Sequence, residues 1–224
     1  MPPAIKICGL SSLESVEAAL RAGADMVGFV FFAKSPRNVG FERARELASL
    51  ARDRAKIVAL SVDADDGQIG AIIEAARPDW LQMHGRESLD RVAQVRGQFN
   101  LPVMKAVGVA SSEDIAHARR FALAADRILL DAKPPKDATR PGGNGEAFDW
   151  RLARSFGVGV PWMLSGGLDA GNVAAAIAQS GARGVDVSSG VESAPGVKDP
   201  AKIEAFVAAA RAAFGLGLGV RKSA

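Results

Sequence analysis

Few side chains in this sequence are equipped to move protons or grip anions, and most fall at the ends of short apolar runs. The stretch AIKICG holds the only cysteine, Cys8, with Lys6 two positions before it. His84, one of two histidines, closes WLQMH, Asp131 closes RILLD, and Asp186 and Ser188 alternate with valines in GVDVS. A lone thiol is either a small buried hydrophobe or a reagent. Two small-residue stretches, LSGGLDAGN and DVSSGVE, let backbone N–H groups approach an anion. Arg37, in FFAKSPRNV, carries a donor fork that can grip a carboxylate through two parallel hydrogen bonds, although a loop arginine is as readily just solvated.

These groups need elements to position them. β-rich runs recur at 5–8, 26–31, 57–62, 80–84, 103–107, 127–131, 162–165 and 184–188, with helix-like segments between. The first of these is SSLESVEAALRAG. Ser11 and Glu14 form a capping-box pattern, Leu13, Val16, Ala19 and Leu20 recur at helical spacing, and Gly23 supplies a stop. Segments 65–77, 111–125, 169–180 and 199–214 follow the same plan. AALRAGADMVGFV, IIEAARPDWLQMH and AIAQSGARGVDVS share one layout of helix end, turn and strand, a faint internal repeat. Eight strand–helix units in 224 residues average about 28 residues each, which suits a single-domain (β/α)8 barrel over residues 1–215. A doubly wound sheet is the rival, and no GxGxxG follows the first strand.

Side chains alternate across a strand. Lys6 and Cys8 oppose Ile5 and Ile7; Gln82 and His84 oppose Leu81 and Met83; Leu129 and Asp131 oppose Ile128 and Leu130; Asp186 and Ser188 oppose Val185 and Val187; Ser61 and Asp63 oppose Leu60 and Val62. We expect the apolar sets to face the helices. The polar sets then face the barrel axis, thickening toward the C-terminal strand ends, where barrel enzymes build their sites. Such an interior is costly unless its groups pair or meet a substrate. Lys6, His84 and Asp186 are therefore candidate substrate contacts. Gln82 and Ser61 are expected to be satisfied by neighbours, and pairing competes with direct chemistry for His84.

The two small-residue stretches follow the seventh and eighth strands, the usual phosphate position in such barrels. The expected donors are the backbones of Gly166, Gly167, Ser189 and Gly190, with the hydroxyls of Ser165 and Ser188. After the sixth strand, KPPKDATRPGGNGEAFDW is too long for an ordinary connection, and its prolines exclude a regular helix. Its place directly after Asp131 favours an active-site lid over a spacer.

The totals set limits. The chain is 48% hydrophobic and 24% charged, as in an ordinary soluble protein, and its formal charge is +3. That mild bias is compatible with an anionic substrate. The basic stretch 43–56 is interrupted by acidic residues and reads as a solvated helix face, so no nucleic-acid partner is expected. No run suits a membrane span or signal peptide, and one cysteine forms no internal disulfide; a cytoplasmic location is expected. No Cys/His cluster has metal-ligand spacing. The tail GLGLGVRKSA, taken as flexible from residue 216, is expected to fray.

In order along the chain stand KICGL, FVFFAKSPRNV, LQMHG, LLDAK, GGNGEAFDW, LSGGL and GVDVSSGVE. Together they resemble the phosphoribosylanthranilate isomerases of tryptophan biosynthesis over nearly the whole chain. The resemblance implies a (β/α)8 barrel, monomeric or homodimeric. It implies an Amadori rearrangement of N-(5-phosphoribosyl)anthranilate to 1-(2-carboxyphenylamino)-1-deoxyribulose 5-phosphate, without metal or cofactor. By the same resemblance Cys8 is the general base, Asp131 the general acid and Arg37 the carboxylate ligand, with Ser165–Gly167 and Ser188–Gly190 holding phosphate. The family's sixth loop commonly reads GGTGKTFDW or GGSGKTFDW, where this chain has Asn144 and Glu146. Two other readings compete: a related histidine-pathway isomerase, which uses a pair of aspartates, and a non-catalytic phosphate-binding barrel.

Overall fold

The computed structural model describes residues 2–135 and 137–216. Eight parallel strands close on themselves in sequence order. They are β1 (Ala4–Cys8), β2 (Met26–Phe31), β3 (Lys56–Ser61), β4 (Trp80–Met83), β5 (Val103–Val109), β6 (Arg127–Ala132), β7 (Trp162–Leu164) and β8 (Gly184–Val187). The expected (β/α)8 barrel is therefore the observed fold. Helices α1 (Leu13–Ala22), α2 (Phe41–Ala51), α3 (Asp66–Ala76), α4 (Leu89–Phe99), α5 (Ser112–Arg120), α6 (Val173–Ser180) and α7 (Pro200–Ala213) form the outer layer. A 3-10 turn, Trp150–Ser155, takes the helix position between β6 and β7. A short antiparallel hairpin, β9 (Glu192–Ala194) and β10 (Val197–Lys198), is inserted between β8 and α7. The tail expected beyond residue 216 lies outside the described residues.

Local sequence explains the element ends. The N-cap of α1 is Ser12 rather than the expected Ser11. Its hydroxyl accepts from Ser15 N at 3.1 Å, and the Ser15 hydroxyl accepts from Ser12 N at 3.3 Å. That reciprocal pair leaves no role for Glu14. Gly23 ends the helix at φ 86°, as expected. The expected helix at 169–180 begins only at Val173, because Asp169 and Asn172 bond each other's backbone in a turn.

Two copies of the faint repeat, those with Asp25 and Asp79, share a device that recurs before β6, while the third copy has Arg183 at that place. Asp25, Asp79 and Asp126, each one residue before an even-numbered strand, accept from the backbone N of Ile5, Ile57 and Val103 at 2.8–2.9 Å. Each carboxylate thus pins the start of one strand to the start of the strand before it.

Two apolar layers hold the barrel. The outer layer, between strands and helices, includes Ile5, Ile7, Val27, Phe29, Leu81, Met83, Ile128 and Leu130. The inner floor is Met26, Val58, Met104, Ala106, Leu129 and Met163. Expected parity holds for β1, β4, β6 and β8, but β3 is reversed. Register pairs Val58 with Gly28 and Leu60 with Val30, so Val58 and Leu60 face the axis, while Ser61 turns away from the axis. A barrel strand is buried on both faces, so polarity alone does not reveal which face is interior.

Candidate active site

A pocket opens at the C-terminal ends of the strands, and most of the residues singled out from the sequence meet there. Cys8, His84, Asp131, Asp186 and Ser188 line it, as do Arg37 and the loop Ser165–Gly167. Val30, Phe32, Leu60 and Val62 form an apolar wall beside Cys8. The pocket therefore has a greasy side and a charged side. Lys6 is fully buried one layer below.

Lys6 Nζ donates to Asp186 Oδ1 at 2.9 Å. Burial pushes the Lys6 ammonium down, but the charges and hydrogen bonds of Asp186 and Cys8 together outweigh it and hold the ammonium above its ordinary range. For Cys8, burial pushes the thiol up, Lys6 pulls it down, and Asp186 pushes it up again; the balance is a raised thiol. Lys6 thus favours the thiolate, while burial and the counterion of Lys6, Asp186, oppose it.

His84 and Asp131 form a second pair, Nε2 to Oδ2 at 3.2 Å. The amide of Gln82 donates to His84 Nδ1 at 3.1 Å, which assigns the ring proton to Nε2, facing the carboxylate. Asp131 Oδ1 accepts from the backbone N of Ala132 at 2.9 Å. Gln82 is only partly satisfied, since its Oε1 has no partner among the described residues. Behind His84, outside the barrel, Lys105 Nζ donates to the carbonyls of Met83 and Gly85 and to Glu87 Oε2. Those two carbonyls flank His84, so this buried ion pair shapes the backbone that carries it. Burial pushes the Glu87 carboxyl up, but Lys105 and the N–H of Asp63 outweigh it and hold it below its usual range.

Arg37 is not solvated: it is 3% exposed. Its donor fork does grip a carboxylate, that of Glu192, with Nε to Oε1 at 2.6 Å and Nη2 to Oε2 at 2.9 Å. Glu192, Lys198, Lys105 and Glu87 are the residues that sequence reasoning missed. The only signal for Glu192 and Lys198 was two charged residues in the segment that follows the eighth-strand glycine.

The loop after β6 lies over the site. A Cβ on Gly142 would fall 2.7 Å from Asp131 Oδ2 and 2.7 Å from His84 Cε1, so only glycine lets the backbone pass there. Asn144 bonds back within the loop, to the Arg140 carbonyl at 3.3 Å. Directly beside this loop, Gly166 and Gly167 have φ 88° and 62°, and among the described residues neither N–H is engaged. Ser188 Oγ donates to the Cys8 carbonyl at 3.1 Å. Ser189 and Gly190 sit in a 3-10 turn, Ser189–Val191, whose Gly190 packs directly on the Leu168 carbonyl.

The family model for N-(5'-phosphoribosyl)anthranilate (PRA) isomerase matches residues 5–209. An N-(5'-phosphoribosyl)anthranilate isomerase of Nitrobacter hamburgensis is 57% identical over 209 residues, 93% of each chain. The crystal structure of the Thermotoga maritima enzyme aligns with a TM-score of 0.83 at 34% identity, over 95% of this chain and 100% of that one. A second solved phosphoribosyl anthranilate isomerase is described in complex with reduced 1-(o-carboxyphenylamino)-1-deoxyribulose 5-phosphate. It aligns with a TM-score of 0.80 at 32% identity, over 95% of this chain and 100% of that one. A barrel of this length, strand order and similarity belongs to the N-(5'-phosphoribosyl)anthranilate isomerase family.

Proposed function

We propose that this chain isomerises N-(5-phosphoribosyl)anthranilate to 1-(2-carboxyphenylamino)-1-deoxyribulose 5-phosphate in tryptophan biosynthesis, with Cys8 as general base and Asp131 as general acid. The observation that carries the assignment is that a thiol and a carboxyl line one pocket, whose rim also carries an arginine and an unengaged glycine loop. Anchoring both ends of the substrate orients the reacting carbons between the two groups.

In this reading the phosphate rests on the loops Ser165–Gly167 and Ser188–Gly190, and the anthranilate carboxylate meets Arg37. The aromatic ring lies along Val30, Phe32, Leu60 and Val62. Asp131 gives a proton to the furanose ring oxygen as the bond from C1′ to that oxygen breaks, leaving a protonated Schiff base. The Nε2–H of His84, directed at Oδ2, and the N–H of Ala132, directed at Oδ1, hold the carboxyl in place. The Schiff base draws electrons from C2′ and acidifies its hydrogen. Cys8, as thiolate, takes that proton; the resulting enolamine tautomerises to the ketone. Because burial and Asp186 favour the thiol in the free protein, the cationic Schiff base must help to produce the thiolate.

Loss of phosphoribosylanthranilate fluorescence follows the reaction directly. Cys8→Ala and Asp131→Asn should each reduce turnover by about 10²–10⁴-fold while phosphate binding persists. Near wild-type rates in either variant would refute the assigned roles. Asp131 and Asp186 both line the pocket, which is what a histidine-pathway isomerase using two aspartates would need. Cys8 at the end of β1 and the Lys6 partner of Asp186 favour the first reading, and turnover of the two substrates side by side decides.

A further inference from the structure

The hairpin of β9 and β10 has no part in closing the barrel, yet it carries two buried charges. Glu192 and Lys198 are cross-strand partners in it. Glu192 receives both arms of Arg37, Lys198 Nζ at 2.7 Å and the backbone N of Gly196 at 3.2 Å. Lys198 also donates to the Ser188 carbonyl at 2.8 Å and hydroxyl at 3.1 Å. The Ser188 hydroxyl in turn reaches the Cys8 carbonyl. A continuous chain of hydrogen bonds thus links Arg37 to the strand end of the phosphate loop and to the strand that carries Cys8.

The charges of this cluster do not balance. Two cations, Arg37 and Lys198, share one carboxylate, and the three side chains are 1–5% exposed. A buried surplus charge is unfavourable until an anion joins it. Burial depresses the Lys198 ammonium to about 8 against the pull of Glu192, and Arg37 adds to the lowering. The open place is on Arg37. Nε and one hydrogen of Nη2 go to Glu192, the other Nη2 hydrogen goes to the Gly143 carbonyl at 3.2 Å, and Nη1 has no partner among the described residues. Nη1 faces the loop at Gly143, where an added Cβ would fall 2.5 Å away.

We infer that Glu192 and Lys198 are positioning residues for recognition of the substrate's aromatic carboxylate. They hold Arg37 with its Nη1–Nη2 edge turned to the pocket and leave the cluster one anion short. The substrate carboxylate completes it, taking Nη1 and displacing the Gly143 carbonyl from Nη2. This rests on the carboxylate role of Arg37 proposed above.

The test compares two ligands by calorimetry: the reduced product analogue, and the same molecule lacking the ring carboxylate. Wild-type protein should prefer the first. Glu192→Gln should cut that preference by about tenfold or more while affinity for the carboxylate-free ligand stays near wild type, and Lys198→Met should cut the preference as well, with a smaller loss shared by both ligands through Ser188. KM should rise more than kcat falls. Glu192→Asp, which keeps the charge, should restore part of the preference, and it replaces Glu192→Gln if that variant does not fold. Equal loss of affinity for both ligands, or an unchanged preference, would overturn the inference while leaving the Arg37 reading intact. A wild-type protein with no preference would overturn the Arg37 reading, and the inference with it.

Discussion

Lys6 Nζ lies 2.9 Å from Asp186 Oδ1, a pair joined across 180 residues of chain and sharing the interior face of the barrel with Cys8. The lysine is inaccessible to water, so its charge is felt through protein rather than screened by solvent. Its effect on the thiol is therefore set by how completely Asp186 neutralises it.

That balance predicts opposite shifts from two substitutions. Lys6→Met removes the charge that favours the thiolate, so the Cys8 titration midpoint should rise. Asp186→Asn removes the charge that opposes it, so the midpoint should fall. Ultraviolet thiolate absorbance as a function of pH reads both. A midpoint unmoved by Lys6→Met would end the idea that this lysine tunes the base.

His84 holds Asp131 without needing to touch the reacting atoms. His84→Asn should lower kcat, by less than Asp131→Asn, and should reshape the pH–rate profile because the proton facing Oδ2 is gone. Gln82→Leu should produce a weaker version of the same change, through loss of the bond that fixes the ring proton on Nε2. Steady-state kinetics across pH separates these effects from simple loss of fold.

Lys105 and Glu87 form a buried pair outside the pocket, with side chains each 3% exposed. Lys105→Met strands the carboxylate and should destabilise the fold by about 3–5 kcal/mol in urea unfolding. Adding Glu87→Gln should recover part of that loss. A single variant as stable as wild type would show that the pair contributes nothing.

Acid should loosen two regions together. The carboxyls of Glu87 and Glu192 are both held below their ordinary value of 4.5. A carboxyl lowered in the folded state stabilises above its unfolded pKa, and that stability is lost as pH falls through the folded pKa. The melting temperature should therefore drop as pH is lowered below about 4.5, and less steeply in Glu87→Gln. Differential scanning calorimetry at a series of pH values makes the comparison.

The carboxylates beneath the barrel offer a separate check. Asp126→Ala removes the acceptor for Val103 N and a partner of Arg96, and should cost about 1–3 kcal/mol. Because this end of the barrel is remote from the pocket, kcat at low temperature should be preserved.

By itself the sequence determined the eight strands to within about two residues of their observed ends, the stop at Gly23, and the interior placement of Cys8, His84, Asp131 and Asp186. These follow from local patterns, alternation along a strand and spacing along a helix, which depend only on near neighbours in the chain. Tertiary structure alone decided the face of β3, where both sides are apolar and register with β2 is what selects Val58 and Leu60 for the interior. It alone joined Lys6 to Asp186, and Arg37 to Glu192 across 155 residues. Lys6 meets Asp186 because barrel closure sets β1 beside β8 in register, and Arg37 meets Glu192 because the closed barrel brings the loop after β2 against the hairpin after β8; no local pattern encodes either pair.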